Sequence, residues 1–146
     1  MGDLVIRLAM ARDFAAVYEI ECLCFPDPYP LTFLQALHDM NPATFFVAER
    51  AGALIGYVIA AEDRGHGHLL AIAVHPSARR QGIGRQLLTA SLQALRREGA
   101  TTVRLEVRRG NRDAQQFYED HGFLYSHTIA SYYDDEDALI YYRTLQ

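Results

Sequence analysis

The sequence predicts an α/β domain: a mixed sheet of about seven strands, with about four helices divided between its two faces. Two observations carry this. Apolar segments of strand length and segments of helical period follow one another in the order β-α-α-β-β-β-α-β-α-β-β, without repeats or low-complexity linkers. The chain has 146 residues, half of them apolar and 22% charged, enough to close one core without staples, so residues 1–146 read as one domain.

In order, Leu4–Leu8 alternates as a first strand. Asp13 can cap a helix carrying Phe14, Val17, Ile20 and Leu23 at helical spacing. The three prolines of Phe25-Pro26-Asp27-Pro28-Tyr29-Pro30 forbid helix and stiffen a loop. Thr32 is the expected cap of a second helix ending near Asn41-Pro42. Thr44–Glu49 and Leu54–Ala61, joined at Ala51-Gly52, read as a hairpin of β-branched and aromatic residues. Gly65-His66-Gly67-His68 reads as a turn into the apolar strand Leu69–Val74. Leu87, Leu88, Leu92 and Leu95 mark a helix that Gly99 stops. Thr101–Val107 turns Val103, Leu105 and Val107 to one face and Thr102, Arg104 and Glu106 to the other. Asn111 caps a short helix through His121, stopped at Gly122. Strands Phe123–Tyr133 and Ala138–Leu145 join across Asp134–Asp137.

Between the central strand and its helix lies Arg79-Arg80-Gln81-Gly82-Ile83-Gly84. Glycines admit a ligand close to the backbone, the first helical turn offers unpaired N–H groups, and arginine forks complement phosphate. A pyrophosphate fits such a site. The chain contains no lysine, so a P-loop is excluded, and a third glycine of a dinucleotide fingerprint is missing.

The net charge of −4 is unevenly spread. Residues 65–130 hold nine arginines against five acids, a local +4 around the proposed phosphate site, while both flanks are acidic. The acidic flanks argue against nucleic acid as partner. No apolar run reaches the roughly 18 residues that span a bilayer, and Met1-Gly2-Asp3 lacks a signal-peptide pattern, so no membrane partner and a cytoplasmic location are expected. Cys22 and Cys24 point to different helix faces and read as core packing. No histidine, cysteine or acid spacing suggests a metal.

The pattern Val74-His75-Pro76-x-x-Arg79-Arg80-x-Gly82-x-Gly84 resembles the acetyl-CoA signature of the GNAT acetyltransferase superfamily, Arg/Gln-x-x-Gly-x-Gly/Ala, and the element order is that of a GNAT domain. The resemblance implies acetyl-CoA as cosubstrate. It implies that residues 79–84 (Arg79, Arg80, Gln81, Gly82, Ile83 and Gly84) cradle the pyrophosphate. It further implies that backbone groups of Ile72, Ala73 and Val74 face pantetheine and acetyl. The segment Leu105-Glu106-Val107-Arg108-x-x-Asn111, followed by Tyr118, is similar to that of ribosomal-protein N-terminal acetyltransferases, the RimI-like branch. There the glutamate is the general base, the asparagine contacts CoA and the tyrosine protonates the thiolate, which assigns these roles to Glu106, Asn111 and Tyr118. From the residues alone, Glu106 can equally be an exposed strand carboxylate and Tyr118 a core residue.

Three further resemblances concern the acceptor. Phe25, Pro26 and Tyr29 are similar to the hydrophobic loop that holds the first peptide residue in N-terminal acetyltransferases, and Tyr132-Tyr133 resembles their paired tyrosines. Gly67-His68 resembles the eukaryotic and archaeal members. Hydrophobic packing explains the loop and the tyrosines as well, and His68 or His75 can be a proton relay or simply solvated. The implied function is transfer of acetyl to the N-terminal α-amine of a protein or peptide, a ribosomal protein being one candidate acceptor. Two other readings stay open: acetylation of a small amine such as a polyamine, amino acid or aminoglycoside, drawn by the acidic 134–137 segment, and a non-catalytic acyl-CoA-binding module. Oligomeric state is not legible.

Overall fold

The computed structural model describes residues 2–145; Met1 and Gln146, the ends of the expected domain, lie outside the described residues. The elements are β1 (Leu4–Leu8), α1 (Phe14–Cys24), α2 (Leu31–Met40), β2 (Phe45–Arg50), β3 (Ala53–Asp63), β4 (His66–Val74), α3 (Ile83–Arg97), β5 (Thr102–Arg108), α4 (Arg112–Asp120), β6 (Leu124–Tyr133) and β7 (Glu136–Thr144). They form one mixed sheet in the order β1-β2-β3-β4-β5-β7-β6. Only β4 and β5 run parallel, because α3 crosses between them. The class and order match the expectation.

Two apolar layers hold the sheet between its helices. Leu87, Leu88, Leu92 and Leu95 of α3 pack with Val58, Val103 and Leu105 on one face. On the other, Val17 and Ile20 of α1 and Leu34 and Leu37 of α2 pack with Phe45, Val47, Tyr57 and Ile59. Each such side chain contributes about 2 kcal/mol by leaving water.

Several local expectations are corrected. Asp13 ends a one-turn 3-10 helix and makes no side-chain cap to α1; its carboxylate is taken by Arg7 instead, at 2.8 and 2.9 Å. Leu23 is exposed, and Glu21 fills the buried position beside Ile20. Pro30, not Thr32, stands at the α2 N-cap, because proline already supplies the extended backbone that precedes a first turn. His66-Gly67-His68 is strand rather than turn, paired with β5, and the turn is Arg64-Gly65. Cys22 is exposed and so is not core, whereas Cys24 is half-buried and packs against the α1–α2 layer as expected; both are free.

One feature of the sheet positions everything that follows. β4 and β5 pair only at His66↔Thr102, Gly67↔Val103 and His68↔Arg104, then part. At the paired end they approach so closely that a Cβ on Gly67 would lie 3.0 Å from the Thr102 carbonyl oxygen. Beyond His68 a bulge sets in. The β3–β4 register slips between Ile59 and Ala60, so Leu69 faces the α3 layer while Leu70 and Ala71 both face the α1 layer.

Candidate active site

The gap between the parting strands opens into a cleft of about 400 Å³. Its floor is Leu69–Ile72 of β4 and Glu106–Arg108 of β5. One lip is the α1–α2 loop, with Phe25, Pro26, Asp27 and Tyr29; the other is the end of β6, with Tyr132 and Tyr133. Asn111, Ala114 and Tyr118 close it from α4, and Glu21 from α1. Glu106 and Tyr118, assigned as base and acid, therefore meet here from opposite faces of the sheet. Glu106 projects from the β5 face away from Val103, Leu105 and Val107, whereas Tyr118 belongs to the α3-side core and reaches the cleft through the gap.

Glu106 is 10% exposed at its side chain. Its Oε1 lies 2.7 Å from His68 Nε2. A carboxylate only accepts, so Nε2–H donates. Arg104 Nε is 2.9 Å from Oε2, an ion-pair contact without hydrogen-bond alignment, and Oε2 is left buried with no hydrogen bond among the described residues. Burial pushes the Glu106 carboxyl up, but the His68 hydrogen bond and charge, with Arg104, outweigh it and hold the group below the ordinary carboxylate value. Tyr118 behaves oppositely: burial, then Tyr133, raises its phenol well above the usual tyrosine value, so it keeps its proton at neutral pH. One group is thus ionised and the other protonated at neutral pH, the states that a general base and a general acid require.

Tyr132 and Tyr133 are sequence neighbours, yet both line the cleft, which a regular strand forbids. The β6–β7 register breaks between Ile129 and Tyr133, and Ser131 adopts φ +53, bending the strand so that both rings turn inward with centroids 5.1 Å apart. Burial, then Tyr132, pushes the Tyr133 phenol up to about 12. On the facing lip, Tyr29 packs on Phe33, and its N–H donates to Glu21, whose other carboxyl oxygen accepts from Tyr57.

The phosphate loop lies outside this cleft, past Val74. Arg80 and Gly82 both have positive φ, +63 and +78, and Gly82 stands directly before α3. That backbone turns successive N–H groups inward ahead of a helix N-terminus, an anion nest. The residues fit a pyrophosphate, and the unpaired end of β4 fits an extended chain such as pantetheine alongside. Arg79 is turned away: its Nε donates to the Val74 carbonyl and its Nη2 to Cys24 Sγ. Gln81 accepts a hydrogen bond from Arg50 of β2. Asn111 spends its Oδ1 on the α4 cap, accepting from Ala114 N at 3.2 Å, and keeps its amide N–H groups for the cleft. His75 accepts from Ser77 N–H, and of the two histidines only His68 hydrogen-bonds Glu106.

Sequence reasoning missed Glu21, Asp27 and Arg108. Arg108 carries a legible signal, sharing Glu106's strand face two residues on, and Glu21 is an acid within the apolar stripe of α1.

Positive-φ residues at a helix start, beside a strand that splays from its parallel neighbour towards a carboxylate and a protonated phenol, fit a CoA-dependent acyl-transfer site. Comparison with known proteins agrees. The acetyltransferase (GNAT) family profile matches residues 14–123. An N-alpha-acetyltransferase of Sulfurisphaera tokodaii is 35% identical over 149 residues, covering 92% of this chain and 89% of that protein. The structure of Ard1 from Thermoplasma volcanium superposes with TM-score 0.94 at 30% identity over 98% of both chains. The ribosomal-protein-S18-alanine N-acetyltransferase from Escherichia coli gives 0.90 at 28% identity over 99% of this chain and 95% of that one. The chain belongs to the GNAT family and is an acetyl-CoA-dependent N-acetyltransferase.

Proposed function

We propose that the protein transfers acetyl from acetyl-CoA to the N-terminal α-amine of a protein or peptide. The observation that carries this is the acceptor end of the cleft, where Phe25, Pro26 and Tyr29 face Tyr132 and Tyr133 above Glu106. Apolar walls with phenol tips suit an extended peptide end, burying its first side chain while hydrogen-bonding its backbone. The relatives named for N-terminal acetylation support the same acceptor.

The thioester of acetyl-CoA supplies the acyl group. Residues 80–84 and Asn111 hold the cosubstrate, with backbone of Ile72, Ala73 and Val74 along its pantetheine. Glu106, its orientation fixed by His68, takes the proton of the acceptor amine through a water. The neutral amine attacks the thioester carbonyl directly, the C–S bond of the adduct breaks as Tyr118 gives its proton to the departing thiolate, and the second proton of the acylated nitrogen passes back to the Tyr118 phenolate. An α-ammonium of pKa about 8 costs roughly 1.4 kcal/mol to neutralise at pH 7, against roughly 4.6 for a lysine near 10.4, so one carboxylate suits the α-amine better.

The small-amine alternative rests on the acidic 134–137 turn. There, Asp135 and Glu136 share Arg108, and Asp137 pairs with Arg109, so the turn's four acids are half neutralised and a net negative charge remains for a polycation. The deciding experiment mixes enzyme, acetyl-CoA and peptides with a free N-terminus and one internal lysine, with spermidine in parallel. Peptides vary at the first residue and include an alanine-led ribosomal-protein sequence. Tandem mass spectrometry should find acetyl on the α-amine, varying with that residue. Acetyl on lysine or spermidine alone would overturn the proposal, and CoA binding without any turnover would leave the binding-module reading.

A further inference from the structure

Arg108 ends β5 two residues past Glu106, and its guanidinium reaches both lips of the cleft at once. Nη2 is 2.7 Å from Asp27 Oδ2 on the α1–α2 loop. Nη1 is 2.9 Å from Asp135 Oδ1 and 3.3 Å from Glu136 Oε1 on the β6–β7 turn. The plane lies over the Tyr133 ring, 4.2 Å from its centroid. Glu136 is itself anchored, its Oε2 accepting from Gly110 N at 2.7 Å. The Arg108 side chain is 17% exposed, whereas those of Asp27 and Asp135 are 79% and 75% exposed.

We propose that Arg108 is a positioning residue, a latch that clasps Asp27 to Asp135 and Glu136 and so sets the spacing of the two loops between which the acceptor enters. This rests on the acceptor reading above. A guanidinium has donors at both ends of a rigid fork, so one side chain can tie two loops that do not otherwise share an ion pair among the described residues. The Asp27 and Asp135 arms are solvent-exposed and hence individually weak and salt-screened, which lets the latch open for entry. Acetyl-CoA, held at the far end of the gap, is indifferent to it.

The test uses D27N, D135N, R108Q and the D27N/R108Q pair. Asp27 is too exposed for its loss to unfold the chain. Amide hydrogen exchange, which needs no acceptor, should quicken across residues 131–137 in D27N, although Asp27 touches that turn only through Arg108. Acceptor KM should rise about two- to fivefold in D27N and about tenfold in R108Q, with acetyl-CoA KM unchanged. The parent's acceptor KM should climb with salt for a peptide of uncharged side chains; that of R108Q should not. The pair should be no worse than R108Q alone. Unaltered exchange in the turn of D27N would overturn the latch. So would harmless D27N and D135N beside a damaging R108Q, which would make Arg108 a direct acceptor contact. If the parent acetylates no peptide, the acceptor reading fails, and the exchange comparison still decides the latch.

Discussion

His68 Nε2 lies 2.7 Å from Glu106 Oε1, and His68 stands in the last rung before β4 and β5 part. The contact therefore fixes the carboxylate at the apex of the gap. Replacing Glu106 with Gln keeps the shape and removes the base, so kcat should fall by about 10²-fold or more with acetyl-CoA affinity retained. His68→Gln should cost less, since the carboxylate remains and only its orientation loosens. Steady-state kinetics with acetyl-CoA titrated calorimetrically would check both; equal turnover in E106Q would remove Glu106 from the base role.

The pH profile separates enzyme from substrate. Because Glu106 is held below the ordinary carboxylate value, it is already ionised throughout the neutral range. The rise of kcat/KM should then follow the acceptor amine, with an inflection near its pKa of about 8. His68→Ala removes the donor whose hydrogen bond to Glu106 opposes burial, so Glu106 should titrate higher and the variant should lose activity at a less acidic pH than the parent. Product quantified by mass spectrometry from about pH 3 to about pH 9 would show the limbs. Coincident acid limbs would deny His68 that influence.

The element order, the alternating faces of β5 and the glycine-arginine loop before α3 were legible because each rests on local pattern: period-two alternation in 103–107, helical spacing in 87–95, glycines after paired arginines. What the sequence concealed is non-local. The bulge that sends Leu70 and Ala71 to one face, and the bend at Ser131 that turns Tyr132 and Tyr133 inward together, break the very period on which such reading depends. Asp13 reads as a cap from its neighbours alone; only the fold brings Arg7, itself held by Glu49 of β2, beside it. Arg108 likewise gains its meaning from Asp27, 81 residues away.

Tyr118→Phe removes the hydroxyl of the most deeply buried phenol in the cleft, without disturbing the ring that packs on Phe117 and Phe123. Turnover should drop about tenfold or more while CoA dissociation constants stay within about twofold. Undiminished turnover would dismiss it as the acid.

The two loop glycines should differ. Gly82 has φ +78, a conformation a β-branched residue resists, so Gly82→Val should spoil the anion nest and raise acetyl-CoA KM by about tenfold or more. At Gly84 an added Cβ would meet the Phe117 ring at 3.5 Å, an ordinary contact, so Gly84→Ala should bind acetyl-CoA much as the parent does. Equal losses in both variants would contradict the geometry.

Away from the cleft, Arg7 binds Asp13 through Nη1 and Nη2 and Glu49 through Nε and Nη2, tying β1 and β2 to the start of α1. The Arg7 hydrogen bond, with Met10 N–H and despite burial, holds the Asp13 carboxyl below its ordinary value. A folded-state pKa below the unfolded one contributes stability above the unfolded value, about 3.9, and that contribution disappears as pH falls through the lower folded value. Asp13→Asn should therefore cost about 2–4 kcal/mol at pH 7, leaving Arg7 with Glu49 alone. The gap between variant and parent should narrow progressively below about pH 4, as the parent's own Asp13 takes up its proton. Urea unfolding followed by circular dichroism at pH 7 and pH 3 measures both gaps; a gap of the same size at the two pH values would mean that the clasp's charge contributes nothing and that the loss is one of shape.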